Sequence, residues 1–304
     1  MITIMRKKLG LAAIAVLLCT AVWYFFLKPH DYVVRFKIKA LPGTINQSLK
    51  SWSEGLDSAK FIAQKDLSDL KYRLSFGDST HIYHWKFESL NDSVTRVKAY
   101  VTDTTHSLAN RVALIFSETD FEKRSKKTVS EFSKRLKEHL GNFKVNKISK
   151  AEIPTKYCAC LALKTSQAGK AKGMMANYSY LNGLMASNQV PLDGRPIIEI
   201  ENWNMQNDSI AFNFCFPVQR SDSLPQQEDI FYKQIKARPA LRTLYNGNYI
   251  TSDRAWYALL DYAEKEGITT EQRPLEVFHS NPNMGGDELN WEAEVFLPIQ
   301  EKDN

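Results

Sequence analysis

Arg273-Pro-Leu-Glu-Val-Phe278, with Glu292-Ala-Glu-Val-Phe-Leu-Pro-Ile-Gln300 behind it, echoes an earlier pair: Arg195-Pro-Ile-Ile-Glu-Ile200 and Ala211-Phe-Asn-Phe-Cys-Phe-Pro-Val-Gln219. Each pair reads as a strand, a polar turn, a second strand and then Pro-Val/Ile-Gln. A helical stretch precedes each one, Lys170–Asn188 and Ser252–Glu266. A strand precedes each helix, Tyr157–Thr165 and Arg238–Tyr245. Two β-α-β-β units repeated in this way predict a domain with an approximate two-fold, in which the units share one sheet.

Charge separates this region from what comes before it. Residues 151–304 hold 14 basic and 20 acidic side chains, a net of −6, whereas residues 31–150 hold 22 and 14, a net of +8. The sign change near Lys147–Pro154 places a domain boundary there. The whole chain carries +6 over 304 residues. Apart from its first thirty residues it is nearly balanced, which argues against a phosphate-binding footprint and so against nucleic acid as a partner. Hydrophobic residues at 43% and charged residues at 24% exclude a disordered chain and a multi-span membrane protein.

Residues 1–30 have a different character. Arg6, Lys7 and Lys8 precede nineteen residues without a charge, Leu9 to Leu27, with Trp23 and Tyr24 near the end. As a helix this run nearly spans a hydrocarbon core of about 30 Å, and the aromatic pair suits an interface. The small-x-small pattern of a cleaved signal peptide is poor after Cys19, so a retained anchor is preferred. The basic residues before the run predict a single pass through the cytoplasmic (inner) membrane, with the soluble domains extracytoplasmic. The predicted division is therefore 1–30 tail and anchor, 31–150 first domain, and 151–304 second domain.

In the first domain, Tyr32-Val-Val-Arg-Phe-Lys-Ile-Lys39 alternates as a strand and Pro42-Gly43 breaks it. Leu49 to Leu70 reads as helical turns. Lys71–Phe76, His81–Leu90, Ser93–Val101 and Arg111–Ser117 read as strands, with a hairpin turn at Asn91-Asp92. Thr119 or Asp120 caps a long helix whose apolar positions are Phe121, Val129, Phe132, Leu136 and Leu140, and Gly141 ends it. The order of strand, helix, antiparallel strands and long C-terminal helix resembles the START-like (SRPBCC) helix-grip fold. The resemblance is sharpest at Asp31-Tyr-Val-Val-Arg-Phe-Lys-Ile-Lys-Ala-Leu-Pro42, although the tryptophan-proline-rich stretch common after the first helix is missing. Such folds often hold apolar ligands.

The second domain resembles the GyrI-like family, the AraC-type effector-binding domain. Leu244-Tyr-Asn-Gly-Asn-Tyr249 stands where the family has an aromatic residue or histidine, a glycine and then a tyrosine. Ser252–Gly267, with Trp256 and Leu259-Leu260, matches its second helix. Pro274-Leu-Glu-Val-Phe278 matches its Pro-x-Glu-x-Tyr strand, and Ala293–Ile299 its closing strand. The resemblance implies a small organic ligand, cationic or amphipathic, anchored by Glu276 with Tyr249 and Phe278 as walls. Trp203, Phe214, Trp256 and Trp291 are further wall candidates. Strand alternation points Glu276 and Phe278 to one face, and a carboxylate among aromatic rings attracts organic cations. Phe278 replaces the family's tyrosine and removes a hydroxyl.

Some family members are hydrolases that use a tyrosine and a glutamate to handle protons. Tyr249 with Glu276 is the pair that would do so here. The binding reading is preferred, no residue is assigned a catalytic role, and a ligand-free interaction module is the third alternative. No phosphate loop, nucleophile elbow or dinucleotide fingerprint is present. His81-Ile-Tyr-His84 lacks metal-ligand spacing, so neither metal nor cofactor is expected. Cys158-Ala-Cys160 puts two thiols on one strand face. Cys215 could bridge to either in an exported domain, leaving one thiol over.

Overall fold

The computed structural model describes residues 2–300. It is a mixed α+β protein with an N-terminal apolar helix and antiparallel sheets. The contacts divide it into two compact units. One comprises residues up to Lys39 together with Trp52–Arg135, and the other comprises Ala40–Ser51 together with residues from Leu136 onward.

Helix α1 covers Ile2–Val22 and runs into a wider helical turn, Trp23–Leu27. The stretch Lys8–Leu27 is long and apolar enough to cross a membrane, and none of it is buried. A helix leaves its last carbonyls unpaired. Here Arg111 takes up three backbone carbonyls at that end. Its Nη1 donates to Tyr24 O (3.1 Å) and Phe25 O (3.0 Å), and its Nη2 donates to Lys28 O (2.8 Å). The same guanidinium donates from Nε to the buried Asp31 carboxylate at 2.6 Å. Asp31 also accepts from the Asp103 N–H (2.9 Å) and the Ser107 hydroxyl (2.6 Å).

The first unit is a five-stranded antiparallel sheet in the order β1-β5-β4-β3-β2, formed by β1 Tyr32–Ile38, β2 Ala59–Asp66, β3 Asp69–Phe76, β4 Ser79–Ser89 and β5 Thr95–Asp103. One face is apolar by alternation: His81, Tyr83, Trp85 and Phe87 of β4 are buried, as are Val97, Ala99 and Val101 of β5. Helix α4, Asp120–Leu140, packs on this sheet. Phe132 lies against Trp85, Phe36 and Trp52 at 5.2, 6.3 and 5.5 Å between ring centres. The Thr119 hydroxyl accepts from the Glu122 N–H at 3.0 Å, so Thr119 caps the helix. Asn91 shapes the β4–β5 turn by accepting from the backbone N–H groups of Ser93 and Val94.

Two sequence expectations change here. Leu49–Leu70 is not one helical stretch. Helix α2 occupies Pro42–Glu54, and β2 and β3 follow. Pro42, read as a break, opens the helix, because its missing N–H is one the first turn leaves unpaired anyway. Gly43 is required beside it, since a Cβ there would stand 2.1 Å from the Tyr257 ring. Arg111–Ser117, read as a strand, belongs to helix α3, Ser107–Phe116. A short apolar run fits either state by periodicity alone.

The second unit carries a nine-stranded antiparallel sheet in the order β11-β8-β10-β9-β13-β14-β12-β6, with β7 also on β12. The strands are β6 Phe143–Val145, β7 Ser149–Ile153, β8 Lys156–Ser166, β9 Ile197–Asn204, β10 Ser209–Pro217, β11 Ile230–Ile235, β12 Arg238–Gly247, β13 Leu275–Phe278 and β14 Glu292–Pro298. Helix α5, Lys170–Ser187, follows β8, and α6, Arg254–Lys265, follows β12. On one face of the sheet Ile153, Cys158, Cys160, Ile197, Cys215, Leu275 and Phe296 form a core cluster. Cys160 and Cys215 lie directly opposite in register and are joined by a disulfide, while Cys158 is a buried free thiol. Burial pushes the Cys158 thiol up to about 12.

Candidate functional site

Strand β13 lies between β9 and β14, near the middle of the large sheet. Leu275 joins the core cluster on one side, so alternation turns Glu276 and Phe278 to the other. Glu276 has Ile198 and Val295 as register partners and is fully buried. A bare carboxylate there would cost several kcal/mol. The chain supplies the compensation. Lys170, the first residue of α5 and equally buried, donates its ammonium to Glu276 Oε2 and, at 2.6 Å, to the Ser252 hydroxyl. The Trp256 indole N–H on α6 donates to Glu276 Oε1 at 2.7 Å. The Ser252 oxygen is 3.1 Å from Oε2, and the Lys170 ammonium sits 4.7 Å from the Trp256 ring centre. Charge pairing and a ring face act here together, with the cation coming from the protein itself. Glu276, expected from the resemblance as an anchor for a ligand cation, is held in a closed ion pair within the chain.

The other predicted residues fall into separate groups. Tyr249, in the turn Tyr249–Thr251, packs against Phe278 at 4.7 Å and Trp291 at 6.0 Å. Its hydroxyl donates to Glu292 O (2.8 Å) and accepts from the Ser280 N–H (3.1 Å). Burial raises its pKa. No hydrogen bond joins Tyr249 to Glu276 among the described residues, although the Glu276 charge adds to the rise in the Tyr249 pKa. Trp203 on β9 stands beside Trp256 at 5.0 Å and donates to Gln167 Oε1 at 2.9 Å. Phe214 packs against Phe216 at 5.6 Å, and strand register places it in one row with Ile198 and Glu276 across the sheet.

Above the Tyr249–Phe278 pair is a cavity of about 50 Å³ lined by Met174, Met175, Tyr178, Arg195, Pro196, Tyr249 and Phe278, with His279–Pro282 along one side. Space of that size holds water rather than an organic molecule. Glu276 is not on its wall. A wider groove of about 610 Å³ runs past Glu199, Glu201, Lys233, Arg238 and Glu271. Five of its charges pair with one another, Lys233 with Glu199 (2.6 Å) and Glu201 (2.9 Å), and Arg238 with Glu271 (2.8 Å), and Lys236 and Arg273 line it as well.

Sequence reasoning missed Lys170 and the buried network beside it. In that network Gln167 donates to Tyr257 (2.8 Å) and to Asp253, whose carboxylate also takes Arg254 Nη1 at 2.8 and 2.9 Å. One signal was available for Lys170. A cation in the first turn of a helix opposes the macrodipole, which points to a partner elsewhere.

No family model and no curated protein matches the chain. Among solved structures, the EcmrR C-terminal domain is similar over 51% of this chain and 98% of that one, at 16% identity and a TM-score of 0.43. A hydrolase from Listeria innocua is similar over 51% and 92%, at 11% identity and a TM-score of 0.35. SAV2435 bound to tetraphenylphosphonium is similar over 51% and 94%, at 8% identity and a TM-score of 0.36.

Proposed function

We propose that this chain is a membrane-anchored small-molecule-binding protein. Its second unit would take an amphipathic organic molecule against Met174, Met175, Tyr178, Tyr249 and Phe278, with the ligand's polar end toward Arg195 and His279. The observation that carries this reading is the cavity whose two walls come from α5 and from the Tyr249–Phe278 pair. Entry of a ligand requires the cavity to widen. Met174 and Met175 are suited to that, because unbranched thioether side chains change shape at little cost, and Met175 is already 52% exposed. A second reading, for an organic cation, rests on the Glu276–Lys170–Trp256 group, which is a cation site filled by a lysine. A cationic ligand would have to displace that ammonium.

The anchor is supported by the charge-free stretch ending at Leu27 and by the way Arg111 closes its last turn. An extracytoplasmic position for both soluble parts is supported by the basic residues ahead of the stretch and by the Cys160–Cys215 disulfide, a bond favoured in oxidising compartments. The first unit's strand order, with β1 beside the last strand and a long helix across the sheet, supports the helix-grip reading. The succession β8-α5-β9-β10 and β12-α6-β13-β14 supports a duplicated β-α-β-β domain.

The test is a thermal-shift screen of the full chain in detergent with amphipathic aromatic cations and their neutral isosteres, repeated on Met175→Trp. Ligand that binds only the folded state raises the melting temperature. The bulky indole should fill the cavity mouth and abolish the shift. Because Met175 is half exposed, intrinsic stability should stay within about 0.5 kcal/mol of the wild type. A shift that survives in Met175→Trp would place the ligand elsewhere, and no shift with any compound would sink the binding reading.

A further inference from the structure

Helix α3 is ten residues long and presents an apolar stripe to the outside. Leu108, Val112, Ile115 and Phe116 are 50, 43, 54 and 81% exposed. At about 100° per residue they fall within one arc of roughly 100°, and that arc contains no charged side chain. Arg111 lies about 90° round the helix from the centre of this arc and is buried. Single exposed leucines are ordinary, but four large apolar side chains on one side of a short helix call for a partner.

The position of α3 says what that partner is. Arg111 donates to the backbone carbonyls of Tyr24, Phe25 and Lys28, and the Tyr24 hydroxyl lies 3.4 Å from Arg111 O. Helix α3 is thus fastened to the C-terminal end of the apolar stretch Lys8–Leu27, where Trp23, Phe26 and Leu27 are also exposed. Leu108, Val112 and Ile115 lie within four residues of Arg111, about 6 Å along the helix axis. The two exposed apolar surfaces therefore meet at the level where the spanning stretch ends.

We propose that α3 is an interfacial helix that lies on the same membrane into which the spanning stretch inserts, with Leu108, Val112, Ile115 and Phe116 sunk between the headgroups and the upper acyl chains. This rests on the anchor reading given above. The buried Arg111–Asp31 pair would then hold the first unit flat against the bilayer instead of leaving it on a flexible tether, since the guanidinium binds the end of the span and the first turn of the sheet domain at once.

The test uses the full chain with Cys19→Ser, spin-labelled singly at Leu108→Cys, Val112→Cys, Ile115→Cys or Phe116→Cys and reconstituted in phosphatidylcholine–phosphatidylglycerol vesicles. Leu17→Cys in the spanning stretch and Lys127→Cys on the water-facing side of α4 serve as references. Both side chains are well exposed. Each label is tested for access to oxygen, which concentrates among acyl chains, and to a water-soluble nickel chelate. The four α3 labels should favour oxygen several-fold over the Lys127 label, as the Leu17 label does. α3 labels that behave like Lys127 while Leu17 sits in lipid would overturn the interfacial helix and leave the anchor standing. A water-accessible Leu17 label would overturn both. Labels shielded from both reagents, with spin–spin broadening between copies, would assign the stripe to a self-contact and overturn the lipid assignment.

Discussion

Glu276 was singled out through the resemblance of Pro274-Leu-Glu-Val-Phe278 to a family strand, and Lys170 was not singled out, because a contact 106 residues apart leaves no trace in local periodicity. The difference reverses an energetic expectation. A carboxylate alone in an apolar cleft would make Glu276→Gln neutral or stabilising. With Lys170 beside it, that substitution leaves a buried ammonium without its counter-charge. Lys170→Met leaves the converse, a buried carboxylate supported only by the Trp256 indole and the Ser252 hydroxyl. Removing one member of a buried pair typically costs about 3–5 kcal/mol, whereas replacing both by well-packed neutral groups is often harmless. Urea denaturation should therefore show Lys170→Met as strongly destabilised and Lys170→Met/Glu276→Gln as substantially recovered. A double variant as unstable as the sum of the two single ones would mean that the two groups do not act as a pair. Binding data add the second discriminator. An organic cation that competes for Glu276 should bind Lys170→Met more tightly than the wild type wherever that variant remains folded.

At the level of elements, long helices and alternating strands were readable, and short apolar runs were not. β4 is the clearest case of success, with His81, Tyr83, Trp85 and Phe87 all on the buried face. α3 is the clearest failure, since Val-Ala-Leu-Ile-Phe has neither the length nor the polar spacing to separate strand from helix. The buried strand face also carries a pH dependence. His81 is packed against Phe76 and Phe121 at 4.8 and 5.0 Å, and neither ring nitrogen has a hydrogen-bond partner. Asp103 comes no closer than 3.7 Å, and burial outweighs its attraction, so the imidazole pKa falls from 6.5 to about 4. The folded form thus holds His81 neutral while the unfolded chain takes up its proton near pH 6.5. The contribution is complete above that pH and is lost as the pH falls toward 4, reaching about 3 kcal/mol. His139, whose Nε2 accepts from Arg254 at 3.3 Å, is lowered to about 4 by burial and by the Arg254 charge, and it adds a fall of the same sign in the second unit. Guanidinium titrations between pH 7.5 and 4.5 should show His81→Leu losing less stability than the wild type over this window. Parallel pH curves for the two proteins would contradict the assignment.

For the whole molecule, the charge reversal near Lys147–Pro154 lies inside the second unit, which runs from Leu136 onward and also takes in Ala40–Ser51. The reason is invisible locally: Gln47 and Lys50 of α2 bond Asp208, and Gly43 admits the Tyr257 ring. The cysteines show the same limit, since sequence left Cys158 and Cys160 as equal candidates for Cys215, and strand register decides between them. Cys158 faces Pro217, whereas Cys160 faces Cys215 with 4.1 Å between Cα atoms. The bridge encloses α5 and β9, with a sequence separation of 55. Loop-closure entropy then sets its contribution at about 4 kcal/mol as a ceiling. Digestion of the purified chain without reductant should yield one linked peptide pair, Cys160 with Cys215, and Cys158 should be alkylated only after unfolding, because its thiol is buried and held protonated. Reductant should lower the unfolding midpoint of the wild type while leaving that of Cys160→Ala/Cys215→Ala unchanged. The same digest, made after thiols are blocked in intact cells, bears on the compartment. A bridge present before lysis fits an extracytoplasmic second unit, whereas thiols found free at that stage would place it on the reducing side of the membrane and overturn the proposed orientation.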